Sequence, residues 1–398
     1  MNICILIPSF LPEIGGAEIG AFQLAKYLRQ SGHKIAVVTP RLAKKSLKFE
    51  IMDGIEIYRF PSFSLPGRLG KALSWRRPFR AILETINVFL PYFYLKSILI
   101  RINPDILHMH YVFPLGFSGL YWAKKLGIPT VLTLIGQDIY DPYYVPGKQL
   151  HSISKKVMHK VDALTTISTF IKDALVTKFQ ISAARIEVIP YGVEIERFSP
   201  LIKGDEIRNK FGLENGEKII LTVQRLHVRK GVQFALEAFS EVEKKYRDVK
   251  FLIVGDGPEK KVLLRLAEDL AIKDKVIFAG AVENSDLPQY YAAADIFAFH
   301  SIYEGFGIVM LEAAASGKPI VTTESGGSLD IVRNGLNGLL VPAKDSRALA
   351  DAIMKVLENP ELGVSFGRKA REIAEQEFSW DRVSEKYLTI FKRLTRIN

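Results

Sequence analysis

The sequence predicts an α/β fold made of two Rossmann-like units, each a parallel sheet covered by helices. Short β-branched runs alternate with longer amphipathic stretches along the whole chain, which is typical of βαβ units. Glycine, proline or aspartate marks the loops that follow these runs. The length of 398 residues suits about two domains that each bury a core.

The first unit begins with a buried strand at 2–8 and a helix at 17–30. Similar apolar runs predict its later strands, at 34–39, 105–110, 130–136, 163–168 and 186–192. The second unit has its own series of strands, at 218–226, 249–257, 275–282, 295–301, 319–324 and 337–342. A lone amphipathic helix closes the chain at 380–397.

These elements predict a domain at 1–197, a second at 198–379, and a C-terminal helix at 380–398 that packs back on the first domain. In open parallel sheets, ligands bind at the carboxyl ends of the strands. We therefore expect two units that face each other across a cleft, with the functional residues in the loops that line it.

Composition and charge narrow the function classes. The single cysteine, Cys4, excludes a disulfide framework or a cysteine metal cluster and favours a reducing, cytoplasmic setting. The N-terminus has no basic region typical of a signal peptide, and no run of about 18 apolar residues is present. The net charge of +11 lies in the first half, where residues 1–198 hold 25 Lys and Arg against 14 Asp and Glu. Nucleic acid, an anionic membrane or an anionic substrate would each suit this excess.

The stretch 66–80 concentrates this charge between apolar and aromatic residues and contains no acid. Such a pattern is typical of a segment that binds the membrane interface. A solvated basic loop or helix is the alternative. No nucleic-acid-binding motif is present, so we do not expect a nucleic-acid partner. The residues expected at the membrane are Arg68, Lys71, Trp75, Arg76, Arg77 and Arg80.

Two loops of the second unit carry charge or glycine directly after a strand. Arg225 and Lys230 are well placed to neutralise a diphosphate, although a solvated basic loop would look similar. In 253–259, Gly257 allows close backbone approach to a ligand, although a plain strand–turn–helix junction explains it equally well.

The segment 301–317, "SIYEGFGIVMLEAAASG", carries the strongest signal. A helix is expected to start near Gly307, where free N–H groups and the helix dipole favour phosphate. Glu304 on the loop and Glu312 in the helix would accept hydrogen bonds from sugar hydroxyls on either side of a pyrophosphate. A capping Glu304 and a surface Glu312 fit less well, because "IVMLEAAA" is almost entirely apolar.

The first unit offers weaker candidates. Gly15 and Gly16 open the first helix but lack a complete dinucleotide or Walker motif. His108 and His110 share one face of a strand, and no third metal ligand is evident, so a core His108 and a cleft-facing His110 are favoured over a metal site. Asp330, in "SGGSLDIV", is expected in a first helical turn, where Asp is favoured for structural reasons, and a ligand role is the alternative.

Together these motifs resemble the family 4 retaining glycosyltransferases of the GT-B fold. The resemblance rests on "RLHVRKG", "VGDGPE", "EGFGIVMLEAAASGKPIV", "SGGSLDIVRNGLNGLLV" and "IPYGVEIERF", and more thinly on "GGAE", "PDILHMH" and "ALTTIS". It implies that Arg225 and Lys230 hold the diphosphate of a nucleotide sugar. Glu304 would then contact the transferred sugar, and Glu312 the ribose.

The resemblance also implies roles for backbone groups and for the first unit. Phe306, Gly307 and Ile308 would offer amides to sugar and phosphate, Gly16 would lie near the diphosphate, and His110 would face the reacting centre. The chain departs from the family pattern at Gln224, Ile135 and Asp330, where glycine, histidine and glutamate are common. The resemblance therefore implies no acceptor-side role for Ile135.

The function implied is retaining hexosyl transfer from a UDP- or GDP-sugar to a glycan or lipid-linked acceptor. No D-x-D motif occurs, so no metal or other cofactor is expected. The enzyme would be cytoplasmic and peripheral on the inner face of the cell membrane. Two alternatives remain at this level: a nucleotide-sugar 2-epimerase and a non-catalytic nucleotide-sugar-binding subunit.

Overall fold

The computed structural model describes residues 1–12, 15–42, 46–62, 77–136, 139, 148–214 and 216–396; of residues 77–89 and 148–150 it describes the backbone alone. The chain forms two compact units. The first consists of Met1–Pro190 together with Val383–Asn398, and the second of Tyr191–Arg382. The predicted domain boundaries, after residues 197 and 379, lie a few residues from these divisions.

The first unit is built on an eight-stranded sheet. Its strands are β1 (Asn2–Leu6), β2 (Lys34–Arg41), β3 (Phe49–Met52), β4 (Ile55–Pro61), β5 (Ile106–His110), β6 (Thr130–Leu134), β7 (Ala163–Thr166) and β8 (Ile186–Val188). The order is β3-β4-β2-β1-β5-β6-β7-β8, and β3–β4 is its antiparallel pair. Since β1 lies between β2 and β5, the loops that follow β1 and β5 diverge from a shared crevice.

The hairpin of β3 and β4 was not among the predicted strands. Its turn is formed by Asp53 and Gly54, both with positive φ, and Asp-Gly between alternating apolar residues is a strong hairpin signal. The hairpin adds an antiparallel edge to an otherwise parallel sheet. The predicted strands of the first unit are all present as β1, β2 and β5–β8.

In the part of the first unit that the structure describes, five helices connect its strands: α1 (Gly16–Gln30), α2 (Arg77–Ile102), α3 (Gly116–Leu126), α4 (Lys148–Lys160) and α5 (Thr169–Phe179). Helix α3 packs against both α2 and α4. Helix α2 contains Pro91 and still runs for 26 residues. In the described part of the chain, no helix combines the length and the apolarity needed to cross a bilayer.

The second unit contains the six strands predicted for it. They are β9 (Lys218–Val223), β10 (Val249–Val254), β11 (Val276–Gly280), β12 (Ile296–Phe299), β13 (Ile320–Thr323) and β14 (Gly338–Val341). The sheet is parallel, in the order β11-β10-β9-β12-β13-β14. The chain leaves β9 toward β10 and returns to β12 on its other side. The crevice between the ends of β9 and β12 is therefore the switch point of this sheet.

The helices that precede, connect and follow these strands are α6 (Asp205–Lys210), α7 (Val232–Lys245), α8 (Lys260–Asp269), α9 (Leu287–Ala293), α10 (Ile308–Ala315), α11 (Ser328–Ile331), α12 (Ser346–Glu358) and α13 (Pro360–Glu377). The core under α7 includes Phe239 and Phe251, with ring centroids 5.5 Å apart.

The last helix, α14 (Trp380–Thr395), starts in the second unit and continues in the first. In the first unit, the Tyr387 hydroxyl lies 3.2 Å from Thr133 Oγ1, and Arg393 forms an ion pair with Glu187 at 2.6 Å. Both contacts bind the C-terminal helix to strands that are distant in sequence.

Candidate functional site

The switch point of the second sheet brings together the loops that carry the strongest motifs. Residues 224–231 follow β9, and residues 300–307 follow the adjacent strand β12. The two loops are joined through their backbones, since the Ile302 N–H donates to the carbonyl of Arg229 at 2.9 Å. Gly231 allows this approach, because a Cβ there would lie 2.3 Å from the carbonyl oxygen of His300.

Lys230 and Glu304, predicted to hold diphosphate and sugar, form an ion pair across this junction. Their side chains are about four-fifths buried, with 21% and 16% of their surface exposed. The ammonium also lies 5.6 Å from the centre of the Phe299 ring. A partly buried pair of this kind holds both side chains in place at the edge of solvent, where each keeps capacity for further hydrogen bonds.

Arg225, the other predicted diphosphate residue, projects from the same loop and is exposed. In the described residues, no hydrogen bond or ion pair engages its guanidinium. Its backbone is well anchored, because Gln224 N–H donates to Val254 at 2.9 Å and Leu226 N–H donates to Asp256 at 3.0 Å. A free cation on a fixed backbone can bind an anion with little reorganisation.

The packing of the loop after β9 explains why residue 257 is glycine. A Cβ at Gly257 would lie 2.1 Å from the carbonyl oxygen of Leu226, so only glycine lets the loop after β10 pack on the loop after β9. Its N–H donates to the Asp256 carboxylate at 2.7 Å. The structure thus gives Gly257 a packing role, and its predicted contact with a donor stays a prediction.

Helix α10 begins as predicted, immediately after Gly307. Gly307 caps the helix with φ 91°, a conformation that favours glycine. Among the described residues, no acceptor binds the N–H groups of Ile308 and Val309, whereas the Met310 N–H donates to Gly307 at 2.9 Å. The free N–H groups and the dipole make this end of the helix favourable for an anion.

The predicted amide contact of Phe306 with a donor stays a prediction, and its side chain belongs to the core. Its side chain is buried, with ring centroids 6.2 Å from Tyr191 and 6.3 Å from Phe378. The glycine-rich loop after β13 supports this segment: Gly327 N–H donates to the Glu304 carbonyl at 3.2 Å, and a Cβ at Gly327 would lie 2.5 Å from Gly305 O. The "SGG" motif therefore packs against the Glu304 loop and supports its backbone.

A buried hydrogen-bond network that the sequence analysis did not predict holds the backbone of Lys230 in place. The His300 ring is 1% exposed, and its Nδ1 lies 2.9 Å from the Lys230 carbonyl oxygen. Gln224 Nε2 lies 3.2 Å from His300 Nε2. Burial lowers the pKa of His300 to about 4, so the ring is neutral at pH 7. It then donates from Nδ1 to Lys230 and accepts from Gln224.

Gln224 is one of the departures from the family pattern, and the structure gives it this specific role. Its own amide N–H groups supply the second partner of the buried ring. The only sequence signal for the network is a histidine at the end of an otherwise apolar strand, "DIFAFHS". The pairing itself depends on the adjacency of β9 and β12, which the sequence does not display.

Glu312, predicted to bind the ribose, lies in α10 and is 8% exposed. Its carboxylate accepts a hydrogen bond from the Tyr291 hydroxyl at 2.7 Å. Burial raises the pKa of Glu312 to about 7, and the hydrogen bond from Tyr291 partly opposes this shift. Tyr291 was not predicted, because it lies in α9 and nothing in "PQYYAAAD" distinguishes it from a core aromatic residue.

The first-unit candidates lie at the switch point of their own sheet. Gly16 is the first residue of α1, after β1, and His110 is the last residue of the adjacent strand β5. The His110 ring is 1% exposed, and neither of its nitrogens has a hydrogen-bond partner among the described residues. Burial lowers the pKa of His110 to about 3, so the ring is neutral. Its predicted role at a reacting centre stays a prediction.

His108 lies beside His110, with ring centroids 4.4 Å apart, in the core position predicted for it. Its Nε2 lies 2.7 Å from Thr133 Oγ1, which lies 2.6 Å from Thr165 Oγ1. In the described part of the chain, no cluster of three His, Cys, Asp or Glu side chains could hold a metal ion.

The predicted membrane-binding residues cannot be placed in the same way. Arg68, Lys71, Trp75 and Arg76 lie outside the described residues. Arg77 and Arg80 are in the first turn of α2, where only the backbone is described.

Comparison with known proteins identifies the family. Residues 203–373 match the model of the glycosyl transferases group 1, and residues 14–197 match that of glycosyltransferase family 4. The chain is a family 4 glycosyltransferase. The alpha-monoglucosyldiacylglycerol synthase of Streptococcus pneumoniae is 29% identical to it over 98% of this chain and 86% of the synthase.

Solved structures show the same GT-B fold. A glycosyltransferase from Rickettsia africae has a TM-score of 0.80 and 23% identity, and the alignment covers 100% of both chains. Anabaena HepE, crystallised in complex with UDP, has a TM-score of 0.76 and 22% identity over 99% of this chain and 100% of HepE. The α/β fold with two parallel-sheet units is thus confirmed for this glycosyltransferase.

Proposed function

We propose that this glycosyltransferase transfers a hexose, with retention of anomeric configuration, from a UDP- or GDP-sugar to a glycan or lipid-linked acceptor at the cytoplasmic face of a membrane. The observation that carries the proposal is the junction of the β9 and β12 loops. It places Lys230, Glu304 and the free N–H groups of α10 at the switch point of the second sheet.

The charges at this junction suit the departure of a nucleoside diphosphate. When the bond from the anomeric carbon to the β-phosphate oxygen breaks, the oxygen keeps both electrons. Negative charge therefore grows on the phosphates. The Lys230 ammonium, the Arg225 guanidinium and the N–H groups of Ile308 and Val309 would stabilise that charge. These fixed cations and dipoles support transfer without a metal ion, which we include in the proposal.

Glu304 would accept from hydroxyls of the transferred sugar, and Glu312 from the ribose. The acceptor hydroxyl then forms the new bond on the face from which the diphosphate leaves, and its proton passes to a leaving phosphate oxygen. This route retains the anomeric configuration and needs no carboxylate nucleophile. His110 would face this reacting centre, and Gly16 would lie beside the diphosphate.

A lipid-linked acceptor is supported by the diacylglycerol-directed name of the Streptococcus pneumoniae relative and by the basic excess of residues 1–198. The complex of Anabaena HepE with UDP supports a nucleoside diphosphate donor. The basic segment 66–80 would then keep the enzyme at the inner face of the cell membrane, next to its acceptor.

The direct test is transfer by the purified chain from a panel of UDP- and GDP-sugars to diacylglycerol and to glycan acceptors. NMR of the product gives the anomeric configuration, and assays in EDTA test independence of metals. Transfer with retention in EDTA is expected. An epimerised nucleotide sugar without acceptor would instead identify the 2-epimerase class. Donor binding without turnover of any sugar would identify a binding subunit.

A further inference from the structure

A groove in the first unit is lined by none of the candidate site residues. It runs between helices α3 and α4 and has a volume of about 640 Å³. Ligand pockets in proteins typically enclose roughly 300–1,000 Å³. Its floor is apolar and includes Phe117, Tyr121 and Ile153, which are only partly buried.

Lysines surround this apolar floor. Lys124 and Lys125 end α3, and Lys156 and Lys160 belong to α4. Lys124 forms an ion pair with Asp162 at 2.5 Å. The other three are exposed, and no hydrogen bond or ion pair of their ammonium groups occurs among the described residues. Lysines in the last turn of a helix interact favourably with the helix dipole. That interaction explains neither the position of Lys156 nor the open apolar floor.

The same helical layer continues toward a large exposed aromatic residue. Tyr92 of α2 packs on Tyr121 at the groove, with ring centroids 5.0 Å apart. Its neighbour Phe93 is 73% exposed. Helix α2 begins within the basic segment 66–80, at Arg77. An apolar floor, a cationic rim and an exposed aromatic ring together match an amphiphile with a negative headgroup.

We propose that this groove binds one anionic phospholipid of a membrane, with an acyl chain on the floor and the phosphate among Lys125, Lys156 and Lys160. The inference deepens the proposed function, because it gives the enzyme a specific lipid site in addition to a basic segment. Charge complementarity selects an anionic lipid, and the apolar floor distinguishes a lipid from free phosphate.

The test uses the full-length chain and flotation with vesicles of phosphatidylcholine, with and without phosphatidylglycerol. Reversing the rim charges in Lys125→Glu/Lys156→Glu/Lys160→Glu is expected to weaken binding to the anionic vesicles at least about tenfold. Lys261→Glu/Lys344→Glu/Lys355→Glu makes the same charge change on exposed lysines of the second unit and is expected to bind like the wild type.

A second pair of variants tests whether the lipid binds in an apolar groove or only to a basic surface patch. Ile153→Glu places one carboxylate on the apolar floor, whereas Ser152→Glu adds the same charge at the exposed neighbouring position. The first is expected to weaken vesicle binding at least about fivefold more than the second. Equal effects of the two would overturn the groove, as would wild-type flotation of the triple rim variant.

Inorganic phosphate is added as a competitor at constant ionic strength. If phosphate alone displaced the protein from the vesicles, the apolar floor would contribute nothing to binding. That result would overturn the assignment of a lipid. The thermal shift produced by UDP is measured for every variant, and an unchanged shift shows that the fold and the donor site persist. A chain that binds UDP and transfers sugar, yet floats independently of these lysines, would refute the groove and leave the proposed function standing.

Discussion

The switch points of the two sheets differ in what their polar side chains contact. In the second unit, Lys230 and Glu304 bind each other at the edge of solvent, and His300 has a partner on each side of its ring. In the first unit, His110 is buried, and neither of its nitrogens has a partner among the described residues. The same sheet geometry thus supports a pre-organised charged site in one unit and a neutral, unsatisfied ring in the other.

This difference has a physical meaning. The hydrogen bonds on both sides of the His300 ring hold the Lys230 loop in place before any ligand arrives, which favours electrostatic binding of a diphosphate, although Gln224 Oε1 has no partner among the described residues. A buried polar group without partners costs free energy, roughly 1–3 kcal/mol, and such groups in native proteins call for an explanation by function or by an unseen partner.

The largest effect is expected for Lys230→Ala. Removing the ammonium withdraws charge from the leaving diphosphate and leaves Glu304 without its partner, so kcat/KM should fall about 100- to 1,000-fold. Lys218→Ala is the matched control, since Lys218 pairs with Asp295 at 3.0 Å at the opposite end of β9. Steady-state kinetics with the best donor measures both, and equal losses would show that Lys230 has no special role.

Glu312→Gln tests the buried carboxyl of α10. Because the pKa of Glu312 is raised from 4.5 to about 7, the unfolded chain loses this proton first, and the carboxyl lowers stability as pH rises from about 4.5 to 7. Glutamine removes this penalty. The variant should have a free energy of unfolding about 3 kcal/mol higher than that of the wild type above pH 7, and the difference should be small near pH 4.5.

The same variant should bind UDP more weakly above pH 7, because the ionised carboxylate accepts from the ribose hydroxyls better than an amide does. Urea unfolding at several pH values and calorimetry with UDP measure the two effects. A stability difference that does not change with pH would contradict the raised pKa, and unaltered UDP affinity would contradict the ribose contact.

His300→Leu should lower kcat/KM for the donor by about tenfold, since the Lys230 backbone loses its buried hydrogen bond and Gln224 is left unpaired. His300→Gln keeps a donor at this position and should recover part of the loss. A role limited to general stability would lower the melting temperature of both variants and spare the kinetics at temperatures where they remain folded.

The smallest effect on stability is expected in the first unit. His110→Leu removes two unsatisfied nitrogens and should raise the free energy of unfolding by about 1 kcal/mol. If the ring faces the reacting centre, the same change should lower transfer by at least about tenfold. Greater stability with full activity would assign the ring to the core alone. Lower stability would indicate a partner for its nitrogens.

The fold could be predicted because its signals are local. Runs of β-branched residues predicted every strand of the second unit, and Gly307 predicted the start of α10. The hairpin of β3 and β4 was missed although Asp53-Gly54 signals it, because the edge strand Phe49–Met52 is only four residues long and pairs antiparallel, outside the βαβ pattern.

In the candidate site, the proximity of charged residues named by motifs could be predicted, as for Lys230 and Glu304, whereas partners on another strand or helix could not. Gln224 meets His300 only because β12 lies beside β9, and Tyr291 meets Glu312 only through the packing of α9 on α10. Such contacts are set by tertiary structure, and no local pattern distinguishes these residues from ordinary core positions.

The central claim is that the β9 and β12 loops bind a nucleoside diphosphate through its phosphates. Isothermal titration calorimetry with the diphosphate and the monophosphate of the same nucleoside tests it most directly, in the wild type and in Lys230→Ala. The account predicts that the wild type prefers the diphosphate by at least about tenfold and that Lys230→Ala loses most of this preference. An unchanged preference in the variant would contradict it.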